Sequence, residues 1–340
     1  MQLFRYFFAA TALAALIASP GGARAATEST TVALPAVVPI FASLYVAQDA
    51  GIYKEVGLEV KEQVIAGIGS ANAVIAGSID FSSSSGVTLT RAAARQQPVI
   101  GIGNTYDRSG FWIVIKKSIA DERHFDPKAP LAERAALMKG LRIAIGGFQS
   151  IPDAYAKTIA HIGGLDSDKD FVRAAISPTD TLGAMKTGSV DGASIGAPVL
   201  QQLQENNFAV VLANGTTADP TDPPWLSHVA ANVIFVRKQT CTERKSLCVK
   251  MGEAMVKAAA YVHQHADETK KILAKRLNIT DPAIIDDMYR VVIAGTSLSP
   301  TLDAQELSAA EELNVQAGFM PADQKLKSYD GVFTNEFVKQ

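Results

Sequence analysis

Short apolar runs alternate with helical patterns along most of the chain. The runs are rich in Val, Ile or Phe and are bounded by Gly, Pro, Asn or Ser, which is typical of β-strands. They read TVALP, LEVKEQVIA, SIDFS, PVIGIGNT, FWIVIKK, LRIAIGG, FVRAAIS, SVDGASIG, FAVVLANG and HVAANVIFVRK. Between them, segments such as IPDAYAKTIAHIGG place apolar residues three or four apart and predict amphipathic helices. This alternation predicts an α/β fold with largely parallel sheets.

One short pattern occurs twice. GSIDFSSSSG begins at Gly77 and GSVDGASIGA begins at Gly188, and each follows a predicted helix. The repeat favours two lobes of related architecture. Chance repetition is the alternative, because Gly-Ser turns are common. The long apolar strands FWIVIKK and HVAANVIFVRK lie beside Pro-rich segments, so we expect them to bridge the two lobes.

These features predict the domain boundaries. We expect lobe I to contain residues 26–112 and a C-terminal helical part, residues 237–340, and lobe II to contain residues 113–236. From Thr242 onward the pattern is almost entirely helical. The C-terminal helices should therefore cover sheets that are built earlier in the chain.

Residues 1–25 have the pattern of a signal peptide. Arg5 is followed by the apolar segment YFFAATALAALIA, which is too short to span a bilayer, and then by the sequence ARA at residues 23–25. We expect cleavage there and an exported mature protein that begins near Ala26. The alternative is an uncleaved N-terminal anchor.

Composition narrows the class of partner. The chain has 340 residues, of which 48% are hydrophobic, a formal net charge of −2 and no run of Lys or Arg. This balance argues against a nucleic acid or an anionic membrane surface and favours a small molecule. The sequence lacks a Walker loop, HExxH, GxSxG, a complete dinucleotide fingerprint and a paired-cysteine metal motif. We therefore expect a monomeric binding protein without a cofactor or metal, rather than an enzyme.

The two cysteines, Cys241 and Cys248, leave two alternatives. If both lay in one straight helix, their Cα atoms would be about 10 Å apart, too far for a disulfide. A bond therefore requires Cys241 to lie outside the helix, and its role would be structural. A histidine metal site is disfavoured, because His263 and His265 are two residues apart on a predicted helix and point to different faces.

Hydroxyl side chains follow several predicted strands. Ser84 or Ser85 is expected to cap the helix VTLTRAAARQ, and Ser70, Ser150 and Thr179 occupy similar predicted helix starts. In open α/β sheets, ligands bind beyond the carboxyl ends of the strands, where free N–H groups and helix dipoles favour negative charge. These positions predict a cleft for a small polar or anionic ligand. The alternative is that one serine of the run is a cap and the others belong to a solvated loop.

Three segments carry a resemblance to a known family. They read ASLYVAQDAGIYKEVGLEVKEQVIAGIGSANAVIAGSIDF, LMKGLRIAIGGFQSIPDAYAKTIAHIGGL and LGAMKTGSVDGASIGAPVL. They resemble the periplasmic solute-binding proteins of ABC importers for taurine, alkanesulfonates and nitrate, together with the thiamine-pyrimidine-precursor binders. The resemblance implies a type II periplasmic-binding-protein fold, in which two lobes, each a mostly parallel sheet flanked by helices, are joined by two bridging strands.

The resemblance also implies a function. The protein would be the periplasmic substrate-binding component of an ABC-type importer, with a membrane permease as its partner. It would capture a small sulfonate, nitrate or carboxylate between the lobes. The alternatives are a binder of a pyrimidine or aromatic compound, an enzyme on the same fold, or a sensor that presents its ligand to a receptor.

Two departures from the family pattern affect the candidate site. Sulfonate binders commonly have His-Tyr after the Gly-Ser of the second lobe, whereas Ser150 is followed here by Ile-Pro, and Gly196 replaces a frequent Trp. Either the ligand is larger than taurine, or Trp112 or Trp225 fills the space that the missing Trp leaves. The alternative for Trp112 is a role in the core of the hinge. Arg108 is a candidate for pairing with an anion, or alternatively with Asp107. The full set of candidate ligand contacts is Val38, Ser70, Ser84, Ser85, Arg108, Trp112, Gln149, Ser150, Ala197 and Trp225.

Overall fold

A computed structural model describes residues 27–205, 207–215 and 223–338. The predicted signal peptide, residues 1–25, lies outside the described residues. Within the described ranges, no helix is both long and apolar enough to cross a membrane.

The described residues form two β-sheets flanked by helices. The strands are β1 (Glu28–Leu34), β2 (Leu58–Val64), β3 (Phe81–Ser84), β4 (Val99–Arg108), β5 (Trp112–Lys116), β6 (Arg142–Ala144), β7 (Val172–Ala174), β8 (Gly192–Ile195), β9 (Ala209–Asn214) and β10 (His228–Arg237). The helices are α1 (Ala42–Asp49), α2 (Ile52–Glu55), α3 (Gly69–Ala76), α4 (Gly86–Ala94), α5 (Lys117–Glu122), α6 (Leu131–Ala136), α7 (Ile151–Ile162), α8 (Pro178–Thr187), α9 (Val199–Glu205), α10 (Lys238–Glu243), α11 (Lys245–Gln264), α12 (Ala266–Leu277), α13 (Pro282–Gly295) and α14 (Ala304–Gln316).

The two sheets have matching topologies. The first has the strand order β2-β1-β3-β10-β4, and the second has the order β7-β6-β8-β5-β9. In the first sheet β1 is parallel to β2 and β3, while β10 is antiparallel to β3 and β4. In the second sheet β6 is parallel to β7 and β8, while β5 is antiparallel to β8 and β9. The two-lobed α/β fold is confirmed, and each sheet is mixed because it contains one reversed strand.

The structure corrects the expected bridges between the lobes. β5, which contains most of FWIVIKK, pairs only within the second sheet, and β10, which contains most of HVAANVIFVRK, pairs only within the first. The chain instead crosses between the lobes at residues 109–111 and returns between Asn214 and His228. Lobe II therefore ends before His228 rather than at residue 236. An apolar strand pattern indicates burial, but it does not identify the sheet to which the strand belongs.

The repeated sequence pattern has the same structural role in both lobes. Gly77 and Gly188 end helices α3 and α8 in the left-handed conformation, with φ of 80° and 81°, which glycine adopts without steric cost. After each glycine, an aspartate accepts a backbone N–H from the neighbouring strand: Asp80 from Thr31 at 3.1 Å, and Asp191 from Arg142 at 2.9 Å. The repeat therefore fixes the central strands β3 and β8 in their sheets.

The C-terminal helices cover the first sheet, and one of them also reaches the second lobe. Met251 and Met255 of α11 are buried in one cluster with Val32 and Val236 of the first sheet. α14 packs against α4 and β10 of lobe I and against α7 of lobe II. Because α14 contacts both lobes, it stabilises their relative position.

The two cysteines form a disulfide. Cys241 lies in α10 and Cys248 lies in α11, and Arg244, with φ of −124° and ψ of 56°, separates these helices. The Cα atoms of the cysteines are 5.6 Å apart, within the usual range for a disulfide. Cys241 thus lies outside α11, the helix that contains Cys248, as a disulfide between the two cysteines requires.

Candidate functional site

A cavity of about 240 Å³ lies between the two lobes. Lobe I contributes the segment after β1, the end of β3 and the start of α4, and lobe II contributes the segment before α7 and the start of α8. Its lining residues are Pro35, Ala36, Val37, Val38, Ile40, Phe41, Val64, Ala66, Gly67, Ser84, Ser85, Thr88, Phe111, Gly146, Gly147, Ser150, Ile151, Pro152, Ser177, Pro178, Thr179 and Ala231. The cavity lies at the carboxyl ends of strands in both sheets, the position at which α/β proteins bind ligands.

Two further cavities adjoin the first. A pocket of about 40 Å³ shares Val38 and Phe111 with it and is also lined by Ser194 and Ala197. The Ser194 hydroxyl is buried and has no hydrogen-bond partner among the described residues. A more open cavity of about 270 Å³ shares Val38 and Thr179. The cleft therefore extends beyond the central cavity on two sides.

The segment between β1 and α1 forms an apolar wall that is held at two points. The backbone N–H of Val38 donates to the hydroxyl of Tyr45 at 3.2 Å. The side-chain amide of Asn232 donates to the carbonyl of Ile40 at 3.4 Å and to the hydroxyl of Thr105 at 2.6 Å. Burial raises the pKa of Tyr45, so its phenol is neutral at physiological pH. The wall is thus positioned before any ligand binds.

The four serines at the end of β3 have four different environments. Ser82 is fully buried and its hydroxyl has no partner among the described residues, whereas the Ser83 hydroxyl donates to Oδ1 of Asn232 at 2.6 Å. Ser85 is the N-cap of α4 and accepts the backbone N–H of Thr88 at 3.3 Å. Ser84 lines the cavity and forms no side-chain hydrogen bond within the described chain. Ser84 therefore offers a free hydroxyl to a ligand.

The facing edge of lobe II is built around Ser150. Ser150 occupies the N-cap position of α7, but its hydroxyl donates to the carbonyl of Gly147 at 2.6 Å and does not cap the helix. The backbone N–H of Gln149, whose φ is 58°, donates instead to the buried carboxylate of Asp153 at 2.7 Å. Asp153 also pairs with Arg173 at 2.9 Å. These contacts fix the backbone that borders the cavity.

The N-cap of helix α8 lies two residues earlier than predicted. Its N-cap is Ser177, which accepts the N–H of Asp180 at 3.3 Å, so the assignment of this helix start to Thr179 is wrong. The assignment of Ser70 as an N-cap is also wrong, because α3 begins at Gly69 after Ile68. Runs of small and polar residues offer several equivalent cap positions, and tertiary packing selects among them.

Helix starts supply the electrostatics of the cavity. None of its lining residues in the described ranges is Lys, Arg, His, Asp or Glu. The starts of α4, α7 and α8 all border the cavity, and first-turn N–H groups have no partner inside the helix. Pro152 and Pro178 have no N–H. Helix α4 has no proline in its first turn, and it therefore offers the most donors to a ligand with negative charge.

The lobes contact each other beside the cavity. The guanidinium of Arg91 in α4 donates to the carbonyl of Gln149 in lobe II at 2.9 Å. A Cβ atom on Gly67 would lie 3.3 Å from the carbonyl oxygen of Phe148, and one on Gly147 would lie 3.2 Å from the Cα of Gly67. Burial lowers the pKa of Arg91 to about 10, so the guanidinium is charged at neutral pH. These contacts describe a closed cleft.

The structure brings together half of the predicted contact residues. Val38, Ser84, Ser85 and Ser150 line the main cavity, and Ala197 lines the small adjoining pocket.

The other predicted contacts lie outside both cavities. Ser70 is buried and donates to the carbonyl of Gly67 at 3.3 Å. The backbone of Gln149 accepts a hydrogen bond from Arg91 and donates one to Asp153 beside the cavity. The Nε atom of Arg108 lies 3.4 Å from Oδ1 of Asp107. Trp112 is buried in the core of lobe II, next to the chain crossing, which agrees with the alternative of a hinge-core role. Trp225 packs against another core cluster and borders a separate cavity. The sequence does not show where the chain crosses between lobes, and the direction of these side chains depends on that crossing.

Several lining residues were not predicted. They include the apolar segment at residues 35–37, Phe111, Gly146, Gly147, Ser177 and Pro178. A signal was present in ALPAVVP, because a run of small apolar residues and prolines after a strand is not a continuation of that strand. The rule that ligands bind beyond strand ends predicts polar contacts but does not predict the apolar wall of a cleft.

Comparisons with known proteins agree with this architecture. The NMT1-like family matches residues 25–278. No curated protein sequence matches the chain.

Solved structures with the same fold share little sequence identity with the chain. A protein from Bordetella bronchiseptica RB50 has a TM-score of 0.80 at 18% identity and covers 91% of this chain and 95% of its own. The alkanesulfonate-binding protein SsuA from Xanthomonas axonopodis pv. citri, bound to MOPS, has a TM-score of 0.68 at 17% identity, with coverages of 91% and 99%. The periplasmic nitrate-binding protein NrtA from Synechocystis PCC 6803 has a TM-score of 0.64 at 18% identity, with coverages of 92% and 87%.

Proposed function

Because the chain belongs to the NMT1-like family and has the two-lobed fold of sulfonate- and nitrate-binding proteins, we propose that it is the substrate-binding component of an ABC-type importer. In this proposal the chain is exported through residues 1–25, works in the periplasm as a monomer and delivers its ligand to a membrane permease. The ligand is a small organic acid with an apolar body, either a sulfonate or a carboxylate.

The observation that carries the proposal is the chemistry of the cavity. Its wall is apolar, Ser84 offers it a hydroxyl without a side-chain partner in the described chain, and three helix starts border it. An apolar body gains about 25 cal/mol for each Å² of surface that it removes from water. An acidic head group is stabilised at a helix start by about 0.3 to 2 kcal/mol, according to its exposure. The two parts of the ligand thus match two parts of the cavity.

Nitrate fits this cavity less well than an organic acid. One water molecule occupies about 30 Å³ in the liquid, and an ion of only four heavy atoms would leave much of a cavity of about 240 Å³ without a partner. No charged side chain among the described lining residues compensates nitrate for its lost hydration. We therefore assign the apolar space to carbon atoms of the ligand.

The test is thermal unfolding of the mature protein with taurine, longer alkanesulfonates, benzoate-type carboxylates, nitrate and pyrimidines. A ligand at one hundred times its Kd stabilises the folded state by about 2.7 kcal/mol. We expect a clear rise in Tm with an alkanesulfonate or an aromatic carboxylate, and none with nitrate or a pyrimidine. Analysis of the compound after incubation should recover it unchanged, whereas conversion to a product would indicate an enzyme.

A pair of tryptophan variants locates the binding. Ala66 is exposed and lines the cavity, so Ala66→Trp should fill the cleft and abolish the rise in Tm. Ala322 is also exposed but does not line the cavity, and Ala322→Trp should respond like the wild type. The absence of any Tm response in the panel, or an unchanged response in Ala66→Trp, would contradict the proposal.

A further inference from the structure

Three side chains with metal-ligating atoms meet on the lobe I side of the chain crossings. They are Asp107 at the end of β4, His228 at the start of β10 and Glu306 in the first turn of α14. One ligating atom from each lies within 4.8 Å of the other two. The Nε2 atom of His228 is 3.7 Å from Oε1 of Glu306, too far for a hydrogen bond.

Burial is uneven across the cluster, because the Glu306 side chain is buried whereas the His228 side chain is 44% exposed. Within the described residues, Oδ1 of Asp107 and Nδ1 of His228 are buried and have no hydrogen-bond partner. The Glu306 side chain is only 8% exposed. A buried carboxylate requires a compensating charge or hydrogen bonds, and two carboxylates face one another here.

Two neighbouring side chains, Asn104 and Arg108, affect how the cluster could bind a cation. The side-chain amide of Asn104 donates to Oε2 of Glu306 at 3.0 Å, and such outer contacts orient metal ligands. The Nε atom of Arg108 lies 3.4 Å from Oδ1 of Asp107 but forms no hydrogen bond with it. Arg108 therefore compensates Asp107 only in part and would compete with a bound cation.

We propose that Asp107, His228 and Glu306 bind a divalent first-row transition-metal ion such as Zn²⁺. One imidazole nitrogen and two carboxylate oxygens form a donor set that suits this class of ion, with the remaining positions taken by water. A pure oxygen set of six to eight ligands, which Ca²⁺ prefers, is not available from these three residues.

The position of the three ligands indicates that a bound ion would stabilise the region where the chain crosses between the lobes. Asp107 lies two residues before the crossing at residues 109–111, and His228 is the first strand residue after the return of the chain. Glu306 belongs to α14, which packs against both lobes. The ion would link both crossings to α14 and stabilise the hinge region. This site is separate from the ligand cavity, because none of its three residues lines that cavity.

The test is calorimetric titration of the untagged mature protein with ZnCl₂ after treatment with EDTA and dialysis. We expect one Zn²⁺ ion per chain and a rise in Tm with Zn²⁺ but not with Ca²⁺. Asp107→Asn, His228→Gln and Glu306→Gln should each weaken Zn²⁺ binding by about tenfold or more, since even outer-shell changes cost about 10- to 100-fold. Arg108→Ala should strengthen binding, because it removes the competing charge.

The matched control is Glu312→Gln. Glu312 lies on the same helix as Glu306 but pairs with Lys325, so its variant should keep the wild-type affinity for Zn²⁺. Circular dichroism and Tm in EDTA verify that every variant is folded before titration. The inference is overturned if the wild type binds no stoichiometric Zn²⁺, or if the three ligand variants bind it as tightly as Glu312→Gln does.

Discussion

The four serines from Ser82 to Ser85, at the junction of β3 and α4, provide a test in which neighbouring hydroxyls should give different results. Each is changed singly to alanine, and both ligand affinity and the free energy of unfolding are measured. Ser84→Ala removes a hydroxyl that faces the cavity and has no side-chain partner in the described chain. It should therefore leave stability nearly unchanged. If the hydroxyl donates to the ligand, its loss costs about 0.5 to 1.5 kcal/mol, which raises Kd about two- to tenfold.

The next two variants should act mainly on stability. Ser85→Ala removes the cap of α4, at a cost of about 1 kcal/mol. Ser83→Ala removes the 2.6 Å hydrogen bond to Asn232, and it leaves a buried acceptor without that donor at a cost of about 1 to 3 kcal/mol. Asn232 also contacts the carbonyl of Ile40 in the cleft wall, so a small secondary loss of affinity is expected.

Ser82→Ala is the control. Its hydroxyl is buried, has no partner among the described residues and does not line the cavity, so alanine should be neutral or slightly stabilising and should keep the wild-type Kd. Urea unfolding gives the stabilities, and calorimetric titration with the best-binding acid of the panel gives the affinities. Equal dissociation constants for Ser84→Ala and Ser82→Ala would refute the assignment of Ser84 as a ligand contact.

Two further predictions concern closure of the lobes and the anchoring of the second sheet. Gly147→Ala places a Cβ atom 3.2 Å from the Cα of Gly67, so it should hinder closure of the two lobes and weaken ligand binding severalfold. With ligand, solution scattering should give the variant a larger radius of gyration than the wild type. An unchanged Kd and an unchanged radius would refute this prediction. Hydrogen bonds from Arg142 lower the pKa of Asp191, so this carboxylate stabilises the fold above its unfolded pKa of about 3.9 and loses that effect as pH falls through its lower folded pKa. Asp191→Asn should lower the free energy of unfolding by about 1 kcal/mol at pH 7. The difference in Tm between the variant and the wild type should shrink towards pH 3. A difference in Tm that does not depend on pH would contradict the ion-pair explanation.

The fold could be predicted well from the sequence because its signals are local. Alternating apolar runs and helical patterns identified the α/β class, and the repeats at Gly77 and Gly188 identified two related lobes, each with an αL glycine and an anchoring aspartate. The return crossing was misplaced because β10 is as apolar as a strand of either sheet. Its pairing with β3 and β4 is a long-range property that periodicity does not contain.

The candidate site could be predicted only in part, for a related reason. Ser84, Ser85 and Ser150 follow from the rule that ligands bind beyond strand ends, and the structure places them at the cavity. The chemistry of Arg108, Trp112 and Trp225 suits ligand binding, but the directions of these side chains depend on residues 109–111 and on the return of the chain. The cluster of Asp107, His228 and Glu306 was missed because its members are far apart in sequence, and only the pairing of β4 with β10 and the packing of α14 bring them together.

A crystal structure of the protein with the best-binding acid of the panel tests the central claim most directly. We predict electron density for one molecule in the cavity between the lobes, with its acidic group at Ser84 and the start of α4 and its apolar part against the wall at residues 35–41. Density only outside the cleft, or a molecule whose acidic group faces the apolar wall, would contradict the account.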